Sequence, residues 1–145
     1  MSPPPQVRMF LGKQGGSPAR PVVAVGDSVK VGQLLADSEG RVSSPIHSSV
    51  AGKVKSIDEF DPVTGERGDK TASIAITTDS KQTVFEGLAP PVVEDTASFL
   101  AAVRASGVVG LGGAGYPTAS KLTLKEGTAL DYILVNSAEC EPYIT

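Results

Sequence analysis

Up to about residue 88 the chain is a series of short β-branched stretches, each cut off by turn chemistry, and that punctuation is its tightest constraint. "PVVAV", "GKVKSI" and "KQTVF" are separated by "GD", "EG", "SP" and "DPVTGERGD". Glycine supplies positive φ at such turns, and Asp or Pro initiates them. "TASIAIT" alternates, which predicts Ala72, Ile74 and Ile76 on one face of a half-buried strand. Several short strands at close spacing imply a small barrel or sandwich. With four Phe, three Tyr and no Trp, its core must be built from Val, Ile, Leu and Ala.

Composition excludes several classes. The 145 residues suffice for one ordinary domain or two small ones. A net charge of −3 without a basic cluster argues against nucleic acid as a partner. One cysteine rules out an internal disulfide, and equally an iron–sulfur cluster held by several thiolates of these residues. "VVAV" and "YILV" fall far short of the roughly 20 apolar residues that span a bilayer, so no direct membrane insertion is expected. "MSPPPQVRMF" lacks the charged-then-apolar plan of a secretory signal, and a soluble segment is expected. No catalytic constellation and no metal-ligand set is read from these residues.

"GDSVKVGQLL", followed by "SSVAGKV", resembles the two halves of a biotinyl/lipoyl-type barrel-sandwich hybrid. Carrier versions of that fold attach a prosthetic group to a lysine at a hairpin tip. Here the tip reads "ADSEGRVSSPIHSS" without a lysine, and Lys53 lies just beyond it in the next strand pattern. A structural or docking role is therefore expected. His47 has no partner in sequence and reads as a barrel-surface or turn residue.

After "PP" at 90–91 the pattern changes. "VVEDTASFLAAVRASG" predicts a helix capped by Asp95 or Thr96, with Phe99 and Val103 on one face and Gly107 in the left-handed position past its end. A glycine-rich loop follows, then a helix from Pro117, then "DYILVN" as a short buried strand. A continuous apolar run flanked by helices favours a parallel, covered sheet. The organisation is a β domain over 1–88 and the opening of an α/β domain over 89–145.

Gly110, Gly112, Gly113 and Gly115 satisfy G-x-G-x-x-G formally, but only "VV" precedes them and Pro117 interrupts where the dinucleotide fingerprint has its helix under way. The Walker phosphate loop fails too, because no Lys-Ser/Thr pair follows the glycines. What is left is a wall poor in side chains, against which a flat ring or phosphate can rest, with Lys121 about one turn on. A tight connection with a solvated lysine fits the same residues. "VNSAECEP" begins where the buried strand is expected to end, the place at which open α/β sheets bind ligands. There Asn136 can donate and accept, and Glu139 and Glu141 can accept from hydroxyls. An acidic surface turn ended by Pro142 is the alternative.

Together and in this order, "GLGGAGYPTASKL" and "YILVNSAECEPYIT" resemble the core of the RnfC subunits of bacterial Rnf electron-transport complexes, with the barrel-sandwich segment in the matching amino-terminal place. The wider relatives are the flavin-bearing, NADH-oxidising subunits of respiratory complex I. The resemblance implies a mixed fold, an all-β barrel-sandwich hybrid followed by the start of a complex I flavin-subunit-like α/β domain. It implies FMN and NADH as cofactors, held by Gly110, Gly112, Gly113, Gly115, Lys121, Asn136, Glu139 and Glu141. It also implies partners in the other subunits of a membrane complex, and a peripheral place on the cytoplasmic side of the bacterial inner membrane. Leu111 and Ala138 stand where the complex I relatives carry arginine and aspartate, which the Rnf pattern accepts. Cys140 stands for a serine and reads as pocket wall.

The same resemblance implies further chain beyond residue 145, with cysteine motifs for two four-iron clusters. The fragment alone is expected not to turn over. Two other functions fit the residues: a non-catalytic barrel-sandwich docking module, and a cobalamin-reductase relative built on the same core.

Overall fold

The computed structural model describes residues 3–12, 16–40, 42–60, 71–110, 115–125, 127–132 and 134. Strands β1 (Gln6–Phe10), β7 (Thr71–Thr78), β6 (Gly52–Phe60) and β3 (Ser28–Val29) lie side by side in that order as one sheet. A second sheet orders β2 (Arg20–Pro21), β4 (Leu34–Asp37) and β5 (Ile46–His47). All these strand pairs are antiparallel. Val29, Val54, Ile74 and Ile76 from the first sheet meet Leu35, Ala36 and Ile46 from the second in one buried cluster, sealed by Leu11 and Ala19. Two sheets around one aliphatic core are the small barrel or sandwich that the turn spacing predicts, and agree with the barrel-sandwich hybrid that the resemblance implies.

β7 departs from simple alternation. Ile74 and Ile76 are fully buried as expected, whereas Ala72 is exposed and Ser73 and Ala75 are buried as well. From Ser73 to Ile76 both faces of the strand are covered. On the outer side Arg8 stands opposite Ala75, and its guanidinium bonds the Ser73 hydroxyl at 2.7 Å and pairs with Asp58. Small residues fit beneath that arginine. Bonds from the Ser56 hydroxyl first, and then from Arg8 and Ser73, hold the Asp58 carboxyl below the usual carboxylate range despite some desolvation.

Gly52 opens β6 at a crowded point, where a Cβ would strike the Thr77 carbonyl oxygen and lie 3.0 Å from Ile76 Cγ2. Lys53, the next residue, pairs with Ser28 and Thr77 inside the ladder, so it occupies a strand and not a hairpin tip. Beyond β7, Val84 bridges Val31, Leu88 lies against Gly32, and Lys30 pairs with Glu86, carrying the chain along the barrel.

Helix α1 (Thr96–Ala105) follows, and then α2 (Thr118–Leu122), which packs against it. Asp95 caps α1 through its side chain. Ser98 N–H donates to Asp95 Oδ1 at 2.7 Å and Asp95 N–H donates to Ser98 Oγ at 2.9 Å, a reciprocal pair that satisfies two otherwise unpaired donors. Gly107, at φ +73°, closes the helix end. Pro117 is extended, with φ −60° and ψ 125°, so α2 begins at Thr118, one position later than the expected start at Pro117.

The buried strand expected at "DYILVN" is not seen in its described residues. Asp131, Tyr132 and Leu134 lie outside any strand, with Tyr132 and Leu134 86% and 95% exposed. No described strand lies beside them, and an apolar run without a ladder partner gains neither paired amides nor burial.

Core placement makes a direct prediction. Ile74→Ala should cost about 2–5 kcal/mol in urea unfolding, and Ala72→Ser less than about 0.5 kcal/mol. Equal costs would contradict the assignment of the two positions.

Candidate functional site

The glycine loop is pinched at its base. Gly110 N–H donates to the Tyr116 carbonyl at 3.0 Å, Thr118 N–H donates to the Val108 carbonyl at 3.0 Å, and Val109 bridges Pro117 in antiparallel fashion. Pro117 is fully buried, which suits a residue with no amide to satisfy. Gly115 takes φ +62°, a conformation that glycine adopts without a Cβ clash.

Lys121 returns to this mouth from α2. A Cβ built on Gly110 would lie 3.6 Å from Lys121 Nζ, and 3.8 and 3.9 Å from the Tyr116 amide nitrogen and carbonyl oxygen. Bare main chain and an exposed ammonium thus stand together at the loop entrance. The Gly110 amide is already spent on the Tyr116 carbonyl, so the donor offered here is the Lys121 ammonium beside a backbone without a side chain, which suits an anionic phosphoryl group of a flavin nucleotide. Of the residues expected at the site, Gly110, Gly115 and Lys121 are brought together here. Gly112, Gly113, Asn136, Glu139 and Glu141 lie outside the described residues, as do Leu111, Ala138 and Cys140.

What precedes the loop is tied to the barrel. From the last turn of α1, Arg104 Nη2 donates to the Ser38 carbonyl at 2.7 Å and to Asp37 Oδ1 at 3.0 Å, and meets Ser43 Oγ at 3.3 Å. Its Nη1 lies 3.5 Å from Asp37 Oδ2. Asp37 ends β4, and Ser38 and Ser43 belong to the turn that joins it to β5. Two residues past the helix, a Cβ on Gly107 would lie 2.7 Å from the Pro45 carbonyl oxygen and 3.2 Å from His47 Nδ1. His47 therefore sits on β5 beside the helix end, a neighbour that nothing in its local sequence announces.

The Asp37 and Arg104 side chains retain 34% and 38% exposure, so solvent screens their Coulomb attraction. The shared contact with the Ser38 carbonyl and Ser43 hydroxyl supplies the geometry that an ordinary surface ion pair lacks. Partial burial pulls the Asp37 carboxyl upward, but the Arg104 hydrogen bond, the Ser38 amide and the charges of Arg104 and His47 outweigh it. Asp37 consequently titrates below its ordinary value of 3.8.

A cleft of about 620 Å³ is lined by Ser17, Pro18, Arg20 and Glu39 together with Asp37, and Gly110, Gly115 and Lys121 are not among its described lining residues. Its volume does not mark the site, because Asp37 is already engaged by Arg104 and the bare backbone lies elsewhere. Two smaller clefts, of about 260 and 230 Å³, flank the seam between the barrel turn and the helices. Among the described residues no group of three or more His, Cys, Asp or Glu side chains can hold a metal ion, and no helix is long and apolar enough to cross a membrane.

Residues 1–81 match the family model of the RnfC barrel sandwich hybrid domain. The chain belongs to the RnfC family. Residues 103–145 of this RnfC chain match the Nuo51 FMN-binding domain, a stretch that contains the pinched loop and Lys121. It is 38% identical over 133 residues to the subunit designated C of the Na(+)-translocating ferredoxin:NAD(+) oxidoreductase complex of Acetobacterium woodii, covering 90% of this chain and 29% of that protein. It is 39% identical over 137 residues to the equally designated subunit of the ion-translocating oxidoreductase complex of Pseudomonas aeruginosa, covering 93% and 18%. The proton-translocating counterpart from Clostridium ljungdahlii is 38% identical over 135 residues, with 90% and 28% covered. The chain thus spans less than a third of the length of these relatives.

The depressed Asp37 value fixes a pH dependence. Its contribution to stability is fully present above the ordinary value of 3.8 and is lost as pH falls through the lower folded value. Between about pH 5 and about pH 3, the urea midpoint should therefore fall less in Asp37→Asn than in the unsubstituted protein. Identical falls would show that Asp37 is not engaged.

Proposed function

We propose that this chain is part of the flavin-bearing subunit of a membrane Rnf-type complex, in which electrons pass between NADH, FMN and iron–sulfur clusters during ion-translocating ferredoxin:NAD oxidoreduction. The observation that carries the reading is the bare main chain at Gly110 facing the Lys121 ammonium, within a segment similar to an FMN-binding domain. The names of the relatives support the same class of reaction.

In this reading residues 1–88 form the barrel domain and 89–145 contribute part of the cofactor domain. Gly110, Gly112, Gly113 and Gly115 let the cofactor approach the backbone closely, and Lys121 sets a positive charge against its anionic portion. Asn136 bonds the heterocycle edge, while Glu139 and Glu141 accept from sugar or ribityl hydroxyls. The flavin supplies the chemistry of taking a hydride and releasing electrons singly, and the polypeptide supplies position and electrostatics. NADH shares the pocket, and two four-iron clusters belong to other parts of the subunit. Half-exposed apolar side chains such as Phe99, Val108 and Leu124 support packing against more of the same subunit. The partners are the other subunits of the complex, on the cytoplasmic side of the membrane.

A flavin titration of the full-length subunit tests the proposal. It should quench FMN fluorescence on binding, and Lys121→Ala or Asn136→Ala should weaken binding roughly ten- to a hundredfold. Unchanged affinity in both variants would remove these residues from the site. No FMN binding by the unsubstituted subunit would refute the reading as a whole.

A further inference from the structure

We propose that the turn between β4 and β5 is the seat that positions the glycine loop, and that Arg104 and Gly107 are positioning residues of the flavin site. The inference rests on the flavin reading above, but the contacts behind it are independent of any ligand. The seat itself is stiff. Ser43 Oγ lies 2.6 Å from the Gly40 carbonyl and 2.9 Å from the Ser38 carbonyl, so its one proton serves either, Ser17 N–H donates to the Val42 carbonyl at 2.9 Å, and Ser43 and Ser44 are buried.

Onto this turn α1 lowers its last turn through the Arg104 guanidinium, and Gly107 then brings the backbone against Pro45 and His47. An L-residue at position 107 would meet two obstacles, a φ of +73° and the Pro45 carbonyl. Only Val108 and Val109 separate Gly107 from Gly110, and both are locked to the far side of the loop, one by the Thr118 amide and the other by the bridge to Pro117. A displacement at Arg104 or Gly107 therefore passes directly to the loop mouth and to Lys121.

Apolar packing does not substitute for this polar clamp. No residue of α1 is buried, and a cleft of about 230 Å³ opens beside Arg104 between the helices and Ser43. Where carrier barrels of this architecture present a lysine, this hairpin presents carbonyls, a carboxylate and a hydroxyl to an arginine. The barrel thus acts on the cofactor without touching it, as supporting contacts hold binding groups in register.

The test uses the full-length subunit, with FMN affinity and hydrogen exchange at the Gly110 and Thr118 amides as readouts. Arg104→Ala and Gly107→Ala should each weaken FMN binding roughly tenfold and speed exchange at both amides. Arg8→Ala, which breaks the Arg8–Asp58–Ser73 contact elsewhere on the barrel, should lower Tm while leaving affinity and both exchange rates unchanged. Should Gly107→Ala not fold, Asp37→Asn carries the same expectation. Unchanged affinity and exchange in the Arg104 and Gly107 variants would overturn the proposal, as would an equal loss of affinity in Arg8→Ala. If the unsubstituted subunit bound no FMN, the flavin reading would fail, and amide exchange would still decide whether the seat positions the loop.

Discussion

The Arg104 guanidinium reaches from the end of α1 to Asp37, the Ser38 carbonyl and Ser43 on the barrel, and this contact ties the described helices to the barrel. A helix of ten residues without a buried side chain has little intrinsic reason to stay in one place. Its capping box secures the start locally, and the arginine secures the end against a surface that is itself hydrogen-bonded. Gly107 adds a steric condition, since only an absent Cβ lets the backbone lie against Pro45 and His47. Charge, hydrogen bonding and close approach converge within four residues, directly before the glycine-rich loop.

The barrel gains a purpose from this arrangement. Its aliphatic core makes a compact, turn-rich platform, and its long β6–β7 ladder leaves the β4–β5 turn free to engage the helices. The side chains that a carrier domain would use for attachment are replaced by groups suited to holding another element. On the proposed flavin reading such support matters, because backbone groups cannot adjust through rotamers as side chains can.

Local chemistry was legible in the sequence, and long-range partnership was not. The cap at Asp95, the left-handed Gly107 and the turn-separated strands follow from residues within a few positions of one another. The burial of Ser73 and Ala75 follows from Arg8 on the neighbouring strand, which alternation alone does not reveal. Arg104 and Asp37 are separated by 67 positions, and neither stands in a motif. His47 looked solitary because its neighbour, Gly107, has no side chain with which to announce itself. "DYILVN" has a strand's composition, yet its described residues lie exposed without a neighbouring ladder, for a strand is a property of its partners as much as of its residues. At the candidate site, the glycines and Lys121 are close along the chain, and the approach of Lys121 to the Gly110 backbone needed the α2 turn.

The central claim is that barrel and helices hold one fixed arrangement through the Arg104 seat. Pulsed dipolar electron resonance on residues 1–145 tests this, with spin labels at Val25→Cys on the barrel and Ala97→Cys on α1, and Cys140→Ser to remove the one other thiol of these 145 residues. The account predicts one narrow distance distribution that broadens when Arg104 is replaced by alanine. A broad or two-peaked distribution with Arg104 in place would contradict it.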